Sequence, residues 1–214
     1  MTWGADGGRG SAAAVLVVCE GNICRSPAAE LLWRAAVGSR VPVASAGLRA
    51  RVGEPVHEPI ARLLRARGLS PDGVGRQLTP ELAGAADLVL TMTTAQRAGV
   101  LSWAPGAVRR TFTLREFAGL VALIDPAGLP GPADPAARLA ALVDAAPRAR
   151  ARRGVAADDI EDPFRRPEDV AARAVALIAD AVDGIAKALT GDVLTPREHP
   201  RADVVLPSGE LPVR

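Results

Sequence analysis

The sequence predicts an α/β fold, a three-layer α/β/α arrangement around a four-stranded parallel sheet. Residues 13–18 form a short apolar run, rich in valine and bounded by glycine, which is typical of a buried parallel strand. Further runs of this kind alternate with helix-like segments along the chain. The alternation indicates repeated β–α units, whose helices cover both faces of the sheet. A ligand site is then expected at the carboxyl ends of the strands, near the first β–α loop.

The individual elements follow from local patterns. Residues 27–37 have helical periodicity, Pro27 suits the first turn of that helix, and Ser26 is its predicted N-cap. The other predicted strands are residues 41–45, 87–92 and 108–112, and the first of these leads into a loop at 47–53. The other predicted helices are residues 57–67, 94–101, 114–124, 135–146 and 167–189.

The pattern of elements predicts one domain at residues 12–190. A Gly-rich leader is expected at residues 1–11 and a Pro-rich flexible tail at 191–214. Residues 125–158 are expected to be an insertion in the domain. Four arginines fall within residues 148–153, and a solvated surface loop is the prediction for that stretch.

Charge and composition exclude several classes of protein. With 26 Lys and Arg against 24 Asp and Glu, the net charge of +2 argues against a dedicated nucleic-acid binder. No apolar run approaches the roughly 18 residues that a membrane span needs, and the run before Cys19 is too short for a signal peptide. A cytoplasmic protein is therefore expected. The two cysteines, Cys19 and Cys24, are too few for a disulfide framework or a zinc ribbon.

The segment between the first strand and the first helix carries the candidate chemistry. It contributes Cys19, Glu20, Gly21, Asn22, Ile23, Cys24, Arg25 and Ser26. If this loop wraps back, its amides form an anion nest, to which the following helix adds its N-terminal partial positive charge. Arg25 can form two hydrogen bonds to a phosphate. Gly21 is expected to permit the tight turn, and Asn22 to tie the loop through its side chain.

Cys19 lies where the strand ends, at the floor of this nest. The surrounding positive charge stabilises a thiolate, and Ser26 can donate a hydrogen bond to the same sulfur. The expected reaction is attack of the thiolate on phosphorus to give a cysteinyl-phosphate, which water then hydrolyses. No metal ion and no cofactor are expected, because Arg25 and the amides supply the positive charge.

This loop resembles the signature of the low-molecular-weight protein tyrosine phosphatase family. The resemblance runs through residues 17–27 and extends to Ser45-Ala46-Gly47, Arg76-Gln77-Leu78, residues 87–92 and Asp162-Pro163-Phe164. It implies a phosphatase domain that acts on phosphotyrosine proteins, as a monomer or weak dimer. It further implies Asp162 as general acid, Ser45 as a residue that orders the loop and Phe164 as a stacking partner for the substrate ring. Ile23 favours phosphotyrosine, because family members that act on phosphoarginine tend to carry Thr there.

Three features leave alternatives open. The family often has an aromatic residue in the loop that here reads Leu48-Arg49-Ala50-Arg51, so one wall of the ring slot is either missing or replaced by arginines that favour acidic peptides. Gly73 stands where the family often has His. A catalytically weak or inactive phosphate- or phosphoprotein-binding module is therefore the main alternative, and a phosphoarginine phosphatase is another. Cys24 either packs behind the loop or, as the resemblance implies, forms a reversible disulfide with Cys19 under peroxide.

Overall fold

The computed structural model of the chain describes residues 14–154 and 156–191. Within these residues, the strands β1 (Val15–Cys19), β2 (Val43–Gly47), β3 (Leu88–Thr91) and β4 (Thr111–Thr113) form one sheet. All neighbouring strands are parallel, and their order is β2-β1-β3-β4. The predicted α/β fold with a four-stranded parallel sheet is confirmed. The predicted leader lies outside the described residues, as does the predicted tail beyond residue 191.

Helices cover both faces of the sheet. They are α1 (Arg25–Val37), α2 (Glu58–Arg65), α3 (Pro80–Ala85), α4 (Thr94–Trp103), α5 (Leu114–Val121), α6 (Pro135–Ala149) and α7 (Glu168–Thr190). Alternate residues of β1 face opposite layers, as the period of two in a strand requires. Val15 and Val17 join the larger apolar core with α1, α5, α6 and α7, whereas Leu16 and Val18 pack towards α3 and α4. The sheet is therefore the middle of three layers.

Two local predictions are wrong. The first helix begins at Arg25 and its N-cap is Cys24, so Ser26 is not the cap. The reason is that the Ser26 hydroxyl is engaged with Cys19 and Asn22 inside the loop. The fourth strand is predicted at residues 108–112, but residues 105–110 form a 3-10 helix. The strand itself is only Thr111–Thr113. The Arg110 side chain holds the 3-10 turn by donating to the carbonyl oxygens of Gly84, Ala86 and Gly106.

The arginine-rich stretch near residue 150 is less solvated than its composition predicts. Helix α6 precedes it and places Leu139, Leu142, Ala146 and Ala149 in the core. Arg150 Nε donates to Glu116 at 2.8 Å, and the same guanidinium lies 4.9 Å from the centroid of the buried Phe112 ring. Arg153 forms a two-pronged ion pair with Asp158 at 2.6 Å. The prediction of a solvated loop is therefore wrong for Arg150 and Arg153.

The sequence predicts no membrane span, and the lengths and apolar character of the helices test this prediction. Over the two described ranges, no helix combines the length and the apolar character that a bilayer crossing requires. Helix α7 is the longest of those given above, and charged residues recur along it, including Glu168, Arg173 and Lys187. Such a helix serves as a packing element of the domain, and its buried face contributes Val175, Ile178 and Ile185 to the core.

Candidate active site

The loop that follows β1 is fixed by hydrogen bonds between its carbonyl groups and amides of a neighbouring segment. The oxygens of Cys19, Glu20, Gly21 and Ile23 accept hydrogen bonds of 2.8–3.0 Å from amides of residues 48–57. These oxygens are thus engaged away from the centre of the loop. The amide of Asn22 points inward and donates to Cys19 Sγ at 3.3 Å. Such a loop presents donors, and not acceptors, to an anion at its centre.

Asn22 ties the loop to three other segments. Its backbone is in the left-handed region, with φ of 54°, so the residue that makes the tight turn is Asn22 and not Gly21 as predicted. Its side-chain nitrogen donates to Ser26 Oγ at 2.8 Å and Ser45 Oγ at 2.9 Å. Its side-chain oxygen accepts from the Arg76 amide at 2.7 Å. Asn tolerates this backbone conformation better than most residues, and Asn22 combines that tolerance with buried hydrogen bonds.

Replacing Asn22 with alanine is expected to lower the free energy of unfolding by about 2–4 kcal/mol, because buried polar partners lose three hydrogen bonds. Asn22→Gly should lose slightly less, since glycine adopts the positive φ without strain. Urea unfolding of the two variants and the wild type measures both effects. A loss below about 1 kcal/mol for Asn22→Ala would show that the hydrogen bonds of Asn22 contribute little net stability.

The two cysteines lie in different environments. Cys19 Sγ is 3.0 Å from Ser26 Oγ, and Ser26 accepts a hydrogen bond from Asn22, which leaves its proton for the sulfur or for the Ala46 carbonyl. Burial raises the pKa of Cys24 to about 12, and the negative charges of Cys19 and Asp162 add to the effect. Cys24 is therefore a neutral thiol at neutral pH, and Cys19 is the candidate nucleophile. Both cysteines are free in this structure, and their disulfide stays a prediction.

Arg25 presents one edge of its guanidinium to the cleft. The residue is only 3% exposed, and its Nη1 donates to the Ile160 carbonyl at 2.9 Å, which fixes the orientation of the group. Nη2 pairs with Asp162 Oδ2 at 2.6 Å, while the buried Nε has no partner among the described residues. Within the same part of the chain, no side chain caps helix α1 and its first turn carries no carboxylate. These donors together suit a bound oxyanion.

Four acidic residues lie close together around the predicted general acid: Asp158, Asp159, Glu161 and Asp162. Their hydrogen-bond and ion-pair partners distinguish them. Asp158 pairs with Arg153, Asp159 accepts from the amide and hydroxyl of Thr94, and Glu161 pairs with Arg166. Asp162 instead faces Arg25 and lines the cleft, with its side chain 48% exposed. The geometry therefore favours Asp162 over its acidic neighbours as the group that can meet a substrate.

Ile160 anchors this acidic segment, a role that sequence reasoning missed. Its side chain is fully buried, its amide donates to the Met92 carbonyl at 2.9 Å, and its carbonyl accepts from Arg25. One residue thus connects the end of β3 with Arg25 and sets the position of Asp162 two residues later. The available signal was a single apolar residue within an acidic run, which has no specific meaning before the fold is known.

The loop and the acidic segment enclose a cleft of about 280 Å³. Predicted site residues that line it are Cys19, Glu20, Gly21, Ile23, Cys24, Arg25, Asp162 and Phe164. Asn22, Ser26 and Ser45 lie in the hydrogen-bond network behind the loop. Arg49 and Arg51 also line the cleft, at the wall that the sequence leaves either missing or replaced by arginines. Within residues 14–154 and 156–191, no group of three His, Cys, Asp or Glu side chains is placed to hold a metal ion.

Comparison with known sequences gives matches over the first two thirds of the chain. The family model described as low molecular weight phosphotyrosine protein phosphatase matches residues 14–134. Etp of Escherichia coli K12, a low molecular weight protein-tyrosine-phosphatase, is 37% identical over 113 residues, which cover 52% of this chain and 76% of Etp. AmsI of Erwinia amylovora, a probable enzyme of the same class, is 46% identical over 79 residues. That match spans 36% of this chain and just over half, 54%, of AmsI.

Comparison with solved structures extends the similarity beyond residue 134. The crystal structure of AmsI from Erwinia amylovora covers 85% of this chain and 97% of its own, with a TM-score of 0.61 and 26% identity. YwlE arginine phosphatase from Geobacillus stearothermophilus covers 84% of this chain and 94% of its own, with a TM-score of 0.62 and 27% identity. The fold as a whole, and not only the matched loop, is therefore similar to that of these proteins.

Proposed function

Because the chain belongs to the low molecular weight phosphotyrosine protein phosphatase family, we propose that it hydrolyses phosphotyrosine in proteins through a cysteinyl-phosphate intermediate. The observation that carries this proposal is the position of Cys19 beside the inward amide of Asn22, in a loop whose carbonyl groups are engaged elsewhere, with Arg25 and Asp162 lining the same cleft. Roles for individual residues follow from the geometry of the cleft.

The first step transfers the phosphoryl group to the enzyme. The Cys19 thiolate attacks phosphorus, a sulfur–phosphorus bond forms, and the bond from phosphorus to the phenolic oxygen breaks. The loop amides and the Nε and Nη2 groups of Arg25 stabilise the charge on the equatorial oxygens of the transferring group. Asp162, protonated at the start, gives its proton to the leaving phenolate, which departs as a neutral phenol.

The second step returns the enzyme to its starting state. A water molecule attacks phosphorus, Asp162 takes a proton from that water, and the sulfur–phosphorus bond breaks to release inorganic phosphate and the Cys19 thiolate. Ser26, whose Oγ lies 3.0 Å from the sulfur, can donate a hydrogen bond to the departing thiolate and so stabilise its negative charge. The positive charge comes from Arg25 and the backbone, so the proposed reaction is independent of a metal ion.

Asp162 is assigned as the acid on geometry, because it lies beyond residues 14–134 that match the family model. Its carboxylate contacts Arg25, and a bound phosphoryl group would compete for that contact. The amide of Phe164 donates to Asp162 Oδ1 at 3.1 Å, which leaves Oδ2 directed at Arg25 and the cleft. The carboxyl group is therefore placed to meet a leaving oxygen.

Phosphoarginine is a second candidate substrate, because the structural neighbour YwlE is an arginine phosphatase. Ile23 favours phosphotyrosine, since it places a bulky apolar side chain, 4% exposed, in the lining of the cleft. A phenol ring can contact an apolar surface without losing hydrogen bonds. A guanidinium group placed against the same surface loses its hydrogen bonds to water.

Hydrolysis of matched phosphotyrosine and phosphoarginine peptides tests the proposed function. We expect kcat/KM to be at least about tenfold higher for the phosphotyrosine peptide, a ratio that corresponds to one or two altered contacts in a pocket. Cys19→Ser should hydrolyse neither peptide and serves as the control for contaminating phosphatases. A higher value for phosphoarginine would reassign the substrate. Phosphate binding by a folded wild type without any turnover would indicate a binding module instead.

Two further attributes stay predictions from the sequence. These are a cytoplasmic location and a monomeric or weakly dimeric state. Fractionation of cells that produce the protein and sedimentation of the purified chain would test them separately.

A further inference from the structure

One wall of the cleft is made by two side chains of different chemistry. Phe164 is half-buried, and the guanidinium carbon of Arg51 lies 4.6 Å from its ring centroid. Arg165 contributes a second guanidinium at 5.2 Å from the same centroid, and the His57 ring meets Phe164 edge-on at 5.2 Å. Both arginines are within the distance at which a cation is attracted to an aromatic face. Two positive charges therefore lie against the Phe164 ring at this wall of the cleft.

Arg51 is held in this position by its backbone and its side chain. Its amide donates to the Gly21 carbonyl at 2.9 Å, which fastens it to the catalytic loop. Its carbonyl lies so close to Gly75 that a Cβ at that position would clash with it. Its Nη1 donates to both carboxylate oxygens of Glu54, at 2.9 and 3.1 Å. Among the described residues, its Nε and Nη2 have no hydrogen-bond acceptor, so they stay available to a ligand.

The carboxylates that pair with Arg49 and Arg51 compete only weakly with a substrate for these arginines. The pair between Arg51 and Glu54 has side chains that are 39% and 50% exposed, and Arg49 is 86% exposed in its pair with Glu20. Exposed ion pairs of this kind contribute little stability, because water and salt screen them. A carboxylate on an incoming peptide can therefore exchange with Glu54 or Glu20 at small cost.

We propose that Arg51, oriented by its contact with Phe164, makes this enzyme selective for phosphotyrosine that has acidic residues beside it in the peptide chain. The proposal rests on the proposed phosphotyrosine phosphatase function and names its substrate class. The phosphate binds in the catalytic loop, and a neighbouring carboxylate binds the free donors of Arg51, with Arg49 and Arg165 adding long-range attraction. Arg51 is thus a specificity-determining residue that takes the place of an aromatic wall.

Two phosphotyrosine peptides of equal length test this selectivity. One carries Asp and Glu on both sides of the phosphotyrosine, and the other carries Ala and Ser. In buffer of low ionic strength, we expect kcat/KM of the wild type to be about tenfold higher for the acidic peptide, mainly through KM. The preference should shrink several-fold when salt rises from about 0.05 M to about 0.5 M, because the contacts are exposed.

Three variants locate the effect. Arg51→Gln removes the charge but keeps the length, and it should reduce the preference for the acidic peptide to about twofold or less. Arg51→Lys keeps the charge without the planar fork and should give an intermediate preference. Arg62→Gln is the matched control, because Arg62 pairs with Glu168 on exposed helix surface and should leave the preference intact. Thermal unfolding of each variant checks that the fold is retained.

Different outcomes overturn the two proposals separately. If the wild type hydrolyses both peptides equally, or if Arg51→Gln lowers kcat/KM for both by the same factor, the inference about Arg51 is wrong while the phosphatase function stands. If the folded wild type hydrolyses neither peptide nor para-nitrophenyl phosphate, the proposed function itself is wrong. Loss of the acidic preference in Arg51→Gln, with the preference kept in Arg62→Gln, would support the inference.

Discussion

Replacing Cys19 with serine is expected to lower kcat by about 10⁴-fold or more, for both a phosphotyrosine peptide and para-nitrophenyl phosphate. The Cys19 side chain is 2% exposed at the end of β1, and serine fits the same space, so the loop should keep its shape. The serine hydroxyl stays protonated at neutral pH. Among the residues that the structure describes, the sulfur of Cys19 meets Ser26 and the Asn22 amide and has no imidazole partner. The loss therefore reports the missing nucleophile and not a missing site.

The control for this experiment is the second cysteine. Burial holds the pKa of Cys24 at about 12, so its thiol is not a nucleophile near neutral pH. Cys24→Ser should retain activity within about tenfold of the wild type, because only packing and local polarity change. Inorganic phosphate should still bind to Cys19→Ser, which calorimetry can measure. Turnover by Cys19→Ser within tenfold of the wild type would contradict the proposed cysteinyl-phosphate.

Much of the fold and the catalytic loop could be predicted from local patterns. The apolar strand before Cys19 and the helix after it are specified by residues that are adjacent in the sequence. The loop between them therefore occupies the carboxyl end of β1 by topology alone. The parallel sheet followed in the same way from the alternation of strand-like and helix-like segments. These features needed no knowledge of long-range contacts.

The local predictions are wrong where a side chain forms hydrogen bonds with residues outside its own turn or helix. Ser26 has the chemistry of an N-cap, but its hydroxyl is used by Cys19 and Asn22, and the helix begins two residues earlier than predicted. Gly21 is the usual residue for a tight turn, yet Asn22 takes the left-handed conformation because its side chain gains three hydrogen bonds there. The role of Ile160, and the contact of Arg51 with Phe164, became visible only when the fold brought distant segments to one cleft.

Replacing Asp162 with asparagine is expected to lower kcat by about 10²–10⁴-fold for a phosphotyrosine peptide, because the leaving phenolate then lacks a proton donor. The loss should be smaller for para-nitrophenyl phosphate, since its leaving group is less basic and needs less protonation. Rapid-quench or steady-state kinetics on both substrates measures the difference. Equal losses on the two substrates would contradict the role of Asp162 as acid. Glu161→Gln is the matched control, because Glu161 is exposed and paired with Arg166.

The same substitution should strengthen the binding of a simple oxyanion. Asp162 Oδ2 pairs with Arg25 Nη2 at 2.6 Å, so the carboxylate competes with phosphate for that donor. A phosphate dianion next to this carboxylate also experiences like-charge repulsion, which Asn removes. Asp162→Asn is therefore expected to bind inorganic phosphate about threefold or more tightly than the wild type, while turning over far more slowly. A merely structural role for Asp162 predicts weaker binding together with slower turnover, because loss of the pair would disorder Arg25. Tighter phosphate binding together with slower turnover would therefore show that Asp162 gives up its contact with Arg25 when phosphate binds, and that its carboxyl group acts on the leaving oxygen.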